Sequence, residues 1–261
     1  MDSINAAADI LAASEYAIAL TGAGLSAESG IPTFRGQDGL WTKYGQPSNL
    51  SYRAFSQDPQ GWWERRLSDE DTPGNPTYDL KDAVDNAVPN PGHLAVAELE
   101  TMGVVKSVIT QNVDGLHSRA GSRNLLEIHG NRSYLRCISC GSRKPRATYI
   151  ISDLPPVCPR CGGIIKMDTV MFGEPIPSAT LEACSAEVQR CDAMLLVGTS
   201  GAVSPAAQFP LLARERGARI IEVNPVPTQL TPAAHVVVSG PAGEVMPSLA
   251  HAIRTRAIRS R

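Results

Sequence analysis

The 261-residue chain contains no run of about 18 apolar residues, so no membrane-spanning helix is expected. Met1-Asp2-Ser3 puts no basic stretch ahead of the alanine-rich segment that follows; a secretion signal is not expected and a cytoplasmic location is the default. An excess of either charge is lacking too. The formal charge of −2 and pI near 6.2 exclude a global attraction to nucleic acid or acidic membranes, and Arg254, Arg256, Arg259 and Arg261 read as a solvated basic end. Six cysteines are too few to scaffold a chain of this size through disulfides. There is no internal repeat and no low-complexity tract. What remains, 43% apolar residues, can bury a substantial core in one large domain or a main domain with a smaller insert.

Hydrophobic patterning supplies the fold class. Ser3 to Ser14 reads as an amphipathic helix, and strands are expected at Tyr16–Leu20, Val104–Thr110, Ala193–Gly198, Arg219–Val223 and His235–Val238. Helical patterns lie between them at His93–Thr101, Ser178–Arg190, Pro205–Arg216 and Gly243–Thr255. Such alternation predicts an α/β protein with a parallel sheet covered on both faces. Residues 36–91, rich in Gly, Pro, Asp and Trp, and residues 132–168 break the alternation and should be excursions from the sheet. The prolines between Asp69 and Pro91 predict a long irregular loop.

Cys137-x-x-Cys140 and Cys158-x-x-Cys161 have the spacing of a structural zinc site, with Gly141 and Gly162-Gly163 supplying the knuckle turns. Four thiolates leave no open position, so such an ion would be structural. Zinc ribbons also bind nucleic acid, which opens a rival reading. Cys184 and Cys191 read as core residues.

After the first strand, Gly22, Gly24 and Ala27 fall in the G-x-G-x-x-G/A spacing of a dinucleotide-binding turn, where glycine admits a tight turn and the approach of a pyrophosphate, and the small Ala27 lets a helix pack close. A plain strand-to-helix turn has the same look. The acidic residue expected about 20 residues on is missing: Pro32-Thr33-Phe34-Arg35-Gly36 stands there, with Asp38 in a loop-like context. Glu222-Val223-Asn224 closes a later strand and is a candidate replacement. Thr110 to His117 places amides and a carboxylate after another strand, and Leu125 to Asn131 places His129 beside flexible Gly130. Gly198-Thr199-Ser200-Gly201 repeats the pattern, while His93, His235 and His251 read as structural.

Thr21 to Gly36, Thr110 to His117, Ile128-His129-Gly130, the four cysteines, Val170 to Glu174, Gly198-Thr199-Ser200 and Glu222-Val223-Asn224 resemble, in order and spacing, the motif set of the sirtuins, NAD-dependent protein lysine deacylases, of prokaryotic type. The resemblance runs from about residue 15 to 250. It implies a Rossmann-like domain from 1–35, 92–131 and 169–261, with a smaller domain made of a helical module at 36–91 and a zinc module at 132–168. By matching motif positions it places Gly22, Ala23, Gly24, Ser26, Ala27 and Glu28 along the NAD phosphates and ribose, with Phe34 and Arg35 closing over them. Gln111, Asn112, Val113 and Asp114 would form the ribose and nicotinamide pocket, with Asn112 counted as catalytic. Gly198, Thr199, Ser200, Asn224, Pro225, Val226 and Ala242 would surround the adenosine half. His129 would be the general base, taking a proton from the ribose hydroxyls while NAD is consumed as co-substrate and the acyl group leaves as O-acyl-ADP-ribose. Val170, Phe172, Gly173, Glu174 and Val203 would flank an acyl-lysine peptide added as a strand.

The Tyr-x-x-Arg pair by which desuccinylating relatives grip an acidic acyl group has no clean copy: Trp63-x-x-Arg66 keeps only the cation, and Tyr78-x-x-Lys81 lies farther on. Acetyl and other neutral acyl groups are the expected substrates, with no direct binding to nucleic acid or membrane. Mono-ADP-ribosyl transfer, and a non-catalytic module that binds zinc and NAD, remain as alternatives.

Overall fold

The computed structural model describes residues 2–36, 39–45, 48 and 51–259. Asp38 and Arg261 lie outside the described residues. Helix α1 (Asp2–Ala13) leads into β1 (Ala17–Thr21) and a short α2 (Ala23–Ser26), followed by α3 (Leu40–Tyr44), α4 (Ser51–Gln57), α5 (Pro59–Glu70) and α6 (Pro76–Asn86). Next come α7 (Pro91–Thr101), β2 (Val105–Thr110), α8 (Leu116–Ala120), β3 (Leu125–Glu127), β4 (Tyr134–Cys137), β5 (Arg143–Pro145) and β6 (Ile165–Met167). The chain continues through α9 (Ser178–Arg190), β7 (Ala193–Val197), α10 (Phe209–Glu215), β8 (Arg219–Asn224), β9 (Val236–Ser239) and α11 (Ala242–Arg259).

Apolar residues on both sides of the central strands require cover on both sheet faces. Strands β3-β2-β1-β7-β8-β9 form, in that order, one six-stranded sheet in which every neighbouring pair is parallel. This is the Rossmann strand order, with β1 and β7 flanking the point where the winding reverses. Side chains alternate accordingly. Ala17 and Ala19 of β1 join Leu11, Val96, Leu99 and Met246 under α1, α7 and α11, while Ile18 and Leu20 join Val188, Phe209 and Ile220 under α9 and α10. Each such Leu, Ile or Phe, removed from water, contributes about 1.5–3 kcal/mol.

A second sheet, β5-β4-β6, is antiparallel and three-stranded. The helices between α3 and α6 meet it through Trp63 of α5, fully buried against Leu135, Cys137, Ile165 and Met167, with its Nε1–H donating to the Ile165 carbonyl at 3.0 Å.

The five expected strands all form, each within one residue of its predicted ends. The proline-rich stretch does not stay irregular. Pro76 occupies the first turn of α6 and Pro91 that of α7, where proline costs no hydrogen bond; Asn75 caps the first by accepting from the Thr77 amide, and Asn90 caps the second by accepting from Gly92 and His93. The predicted helix at Pro205–Arg216 divides into a 3-10 turn, Ala206–Gln208, and α10. Cys184 and Cys191 are both buried, although Cys191 caps α9 instead of lying within it. Among the described residues, no helix is long and apolar enough to cross a membrane.

Trp63→Ala removes the largest side chain of the smaller core and orphans the Ile165 carbonyl; it is expected to cost about 3–5 kcal/mol, read as a lowered urea midpoint.

Candidate active site

The carboxyl ends of β1 and β7 adjoin, so the loops that leave them share one space. The Gly22 amide donates to the Val197 carbonyl at 3.0 Å and the Gly24 amide to the Gly198 carbonyl at 2.8 Å. A Cβ at Gly22 would stand 2.8 Å from the Gly198 oxygen, and one at Gly24 would stand 2.8 Å from the Gly198 Cα. Glycine is therefore required first for contact between two backbones. Ala27 sits exposed on a 3-10 turn, so its small size is not what lets a helix pack on the sheet.

Ser26, Asn112 and Asp114 come together from α2 and the segment after β2, all of them buried. The Asn112 Nδ2 donates to the Gly22 carbonyl and to Ser26 Oγ, each at 3.0 Å, and Ser26 Oγ donates to Asp114 Oδ2 at 2.7 Å. The second Asp114 oxygen accepts from the Leu116 amide at 2.9 Å, which fixes the entry to α8. Gln111 Nε2 donates to Thr199 Oγ1 at 2.8 Å, and Asn224 Nδ2 donates to the Thr199 carbonyl at 2.9 Å. One connected set of hydrogen bonds thus links loops after β1, β2, β7 and β8. Val113 is half-buried within it and gives its carbonyl to the Arg132 amide at 2.9 Å.

Beneath this set lie two histidines. His93 Nε2 is 3.4 Å from Ser26 Oγ, His117 Nε2 is 2.9 Å from Thr21 Oγ1, and the rings meet edge to face at 5.1 Å. Burial pulls His93 down to about 4 against the pull of the Asp114 carboxylate, and burial with the neighbouring His93 takes His117 down to about 3, so both are neutral at pH 7. His93, read from the sequence as structural, is fully buried, and a histidine near a helix start carries no signal of a partner such as Ser26, 67 residues away.

His129 follows β3 at the edge of the same group. Its Nδ1 is 3.1 Å from the Gln111 carbonyl, which only accepts, so Nδ1 holds the proton and Nε2 is the free base. Burial lowers its pKa below the ordinary value of 6.5, while the hydrogen bond to Gln111 opposes the shift. Gly130 adopts φ +75°, and a Cβ there would collide with the Asp168 carbonyl, so the histidine loop presses directly on the segment after β6. The Val170 amide closes the contact by donating to the His129 carbonyl at 2.9 Å.

Phe34 and exposed Arg35 connect to Phe172 through Trp41: Phe34 packs on it at 5.4 Å, the Arg35 guanidinium lies 4.6 Å over its ring, and Phe172 meets it edge to face at 5.6 Å. Half-buried Val170, exposed Gly173 and half-buried Val203 complete the expected peptide edge, whereas the Glu174 carboxylate turns inward and is 3% exposed. Glu28 accepts from the Gly243 amide at 2.6 Å, at the start of α11 and beside buried Ala242. Ala23 is half-buried in the turn, and Ser200, Pro225 and Val226 are exposed at the ends of β7 and β8. Glu222 does not replace the missing acid: it is buried and both oxygens accept from the hydroxyls of Thr228 and Thr231. Asn224 alone of that trio reaches the rim.

The Trp63-x-x-Arg66 pair is taken up inside the protein, Trp63 in the core against the second sheet. Arg66 Nε donates to Glu70 Oε1 at 2.8 Å, and Arg146 pairs with the same carboxylate. Lys81 is paired with Asp85 at 3.4 Å. Away from these groups, the sulfurs of Cys137, Cys140, Cys158 and Cys161 all lie within 4.8 Å of one another. Backbone amides of Arg160 and Cys161 point at the Cys158 sulfur and draw its thiol down to about 7. Four sulfurs so clustered, with an amide-supported thiolate among them, fit a tetrahedral zinc ion.

A model of the Sir2 family matches residues 22–205. An NAD-dependent protein deacylase of Pyrobaculum aerophilum is 45% identical over 256 residues, 95% of each chain. A solved mutant of a Sir2 homologue in complex with ADP-ribose is 42% identical and superposes with a TM-score of 0.82 over 98% of both chains. A Sir2 protein bound to a myristoylated histone peptide, 37% identical, superposes with a TM-score of 0.71 over 100% of this chain and 99% of its own. The family match spans the glycine turn after β1, His129 and both cysteine pairs, and the chain belongs to the Sir2 family.

Proposed function

We propose that the chain is an NAD-dependent protein lysine deacylase, which releases nicotinamide and transfers the acyl group from lysine to ADP-ribose. The observation that carries this reading is the tautomer of His129, a half-buried imidazole whose Nδ1 is held by the Gln111 carbonyl, which leaves Nε2 unprotonated at the carboxyl end of the sheet. NAD supplies the ribose carbon attacked by the acyl oxygen and the ADP-ribose that carries the acyl group away. Gly22 and Gly24 present bare backbone to the pyrophosphate, and Ser26, Asn112 and Asp114 hold polar atoms at fixed positions toward the ribose. Thr199, Ser200, Asn224, Pro225, Val226 and Ala242 take the adenosine side. His129 accepts the ribose proton, its own N–H held in place by Gln111.

In this reading 1–35, 92–131 and 169–261 form the NAD-binding domain, and modules 36–91 and 132–168 face it across the peptide. Val170, Phe172, Gly173 and Val203 line the peptide. Zinc on the four cysteines holds the small module in shape and takes no part in the chemistry. Neutral acyl groups are the substrates, because Trp63 is buried and Arg66 is engaged by Glu70, which leaves neither to grip an acidic chain.

Nicotinamide release from NAD and an acetyl-lysine peptide, followed by chromatography, tests the reading. The wild type is expected to release it with O-acetyl-ADP-ribose as co-product, and His129→Ala to lose about 10²–10⁴-fold. Equal release by the variant, or label from NAD ending on protein, would overturn it. The same assay run against pH gives the sign of the titration. His129 works neutral and its pKa is lowered from 6.5, so kcat/KM is expected to be flat near pH 7–8 and to fall only at pH values below 6.5. Cys137→Ser is expected to lose zinc by atomic absorption and to lower the melting temperature; retained metal would contradict the structural role.

A further inference from the structure

We infer that Lys166 is a positioning residue for the acyl-lysine peptide, acting through Glu174 to hold segment 167–174 in the shape against which the peptide strand lies, an inference that rests on the deacylase reading. Lys166 sits on β6 between Ile165 and Met167, whose side chains join the Trp63 core. By strand alternation its own side chain faces the opposite way, and it is completely buried. Its ammonium donates to the Met167 and Thr169 carbonyls, each at 2.7 Å, and lies 3.0 Å from Glu174 Oε2. All three of its protons are thereby committed to one short segment of chain.

Glu174 completes the device. The oxygen that meets Lys166 also accepts from the Met171 amide at 2.9 Å, while the Glu174 amide donates to the Met171 carbonyl at 3.0 Å, so residues 171–174 close on themselves. The other oxygen takes a hydrogen bond of 2.6 Å from Arg136 Nη2. Arg136 Nε in turn donates to Asp168 Oδ1 at 3.0 Å, and Asp168 Oδ2 accepts from the Asn131 amide, two residues past His129, at 3.1 Å. The outer edge of the segment meets the catalytic loop through Val170 and meets α4 through the Phe172 carbonyl, which accepts from the Tyr52 amide at 3.1 Å.

Burying an ammonium is costly, and an apolar side chain of the same length would fill the space more cheaply. What the charge adds is direction, since each proton fixes one acceptor of the peptide-facing segment. Without solvent exposure Lys166 touches neither substrate nor cofactor, so its effect passes through Glu174 and the loop. The hydrogen bonds of Gly22, Gly24, Ser26 and Asn112 run to Leu25, Ile31, His93, Thr110, Asp114, Val197 and Gly198 and to one another; among the described residues none reaches Lys166 or Glu174. Peptide and NAD should therefore respond differently when the clamp is removed.

The experiment uses the full chain with a fluorescent acetyl-lysine peptide, its binding read by anisotropy without NAD, and steady-state kinetics beside it. Lys166→Met is expected to weaken peptide binding and raise peptide KM about tenfold or more, with KM for NAD changed by less than about twofold. Glu174→Gln, which keeps shape and one acceptor, should give a smaller rise of the same kind. The double variant should cost less than the sum of the two single changes, because the two share the Lys166–Glu174 contact. An equal rise in both KM values, or a lower melting temperature with peptide binding intact, would overturn the inference. If Lys166→Met does not fold, Glu174→Gln decides by the same criterion. A wild type that binds no acyl-lysine peptide overturns the deacylase reading as well, whereas wild type and variants binding alike overturn this inference alone.

Discussion

Two loop backbones in contact at the middle of the sheet constrain everything around them. Because β1 and β7 run parallel and in register, with Thr21 opposite Val197, the chain leaving each strand enters the same volume. Gly22, Gly24 and Gly198 resolve the conflict by having no side chain there, and the amides of Gly22 and Gly24 then bond across the gap. The result is a cradle lined by bare backbone. Asn112 extends it to β2 by donating to the Gly22 carbonyl, and Asn224 extends it to β8 through the Thr199 carbonyl. Four strands thus hold one rim, and no single loop moves without breaking hydrogen bonds to another.

Polar groups in that rim stay fixed because their neighbours are held neutral. Burial disfavours the charged form of both His93 and His117, whose rings meet at 5.1 Å, and keeps them as neutral imidazoles that bond to Ser26 and Thr21. Asp114 is then the one carboxylate in the set, and its two oxygens are occupied by Ser26 and Leu116. Electrostatic preorganisation of this kind depends on few charges with many fixed dipoles around them.

The central sheet was legible in the sequence because parallel strands covered on both faces are written as continuous apolar runs, as in Ala193–Val197. The metal site was legible from two cysteine pairs at ribbon spacing. Ser26, Asn112, Asp114 and His129 could be placed by motif. Less legible was anything decided across the chain. Glu222 looked available to a ribose until Thr228 and Thr231 were seen to use both of its oxygens. Helix α6 was hidden by prolines read as breakers, although Asn75-Pro76 is a cap and first turn. His93 and Lys166 are recognised only by partners brought in from other elements, and no local pattern encodes those.

The segment that carries the four clustered cysteines lies apart from the proposed chemistry yet bears on its geometry. Its strands β4 and β6 bring Arg136 opposite Lys166, and the two cations converge on Glu174 while Arg136 also holds Asp168. Asp168 lies against Gly130, where a Cβ would not fit, so a shift of the module would reach His129 through backbone contact. Breaking a buried charge pair by removing one partner costs about 3–5 kcal/mol, against about 0–1 kcal/mol for an exposed pair. The four sulfurs and this charge cluster act on the same strand, since Cys137 follows Arg136 directly on β4. A structural metal on these four sulfurs would stiffen the strand from which Arg136 reaches both Glu174 and Asp168, and so the backbone contact between Asp168 and Gly130 beside His129.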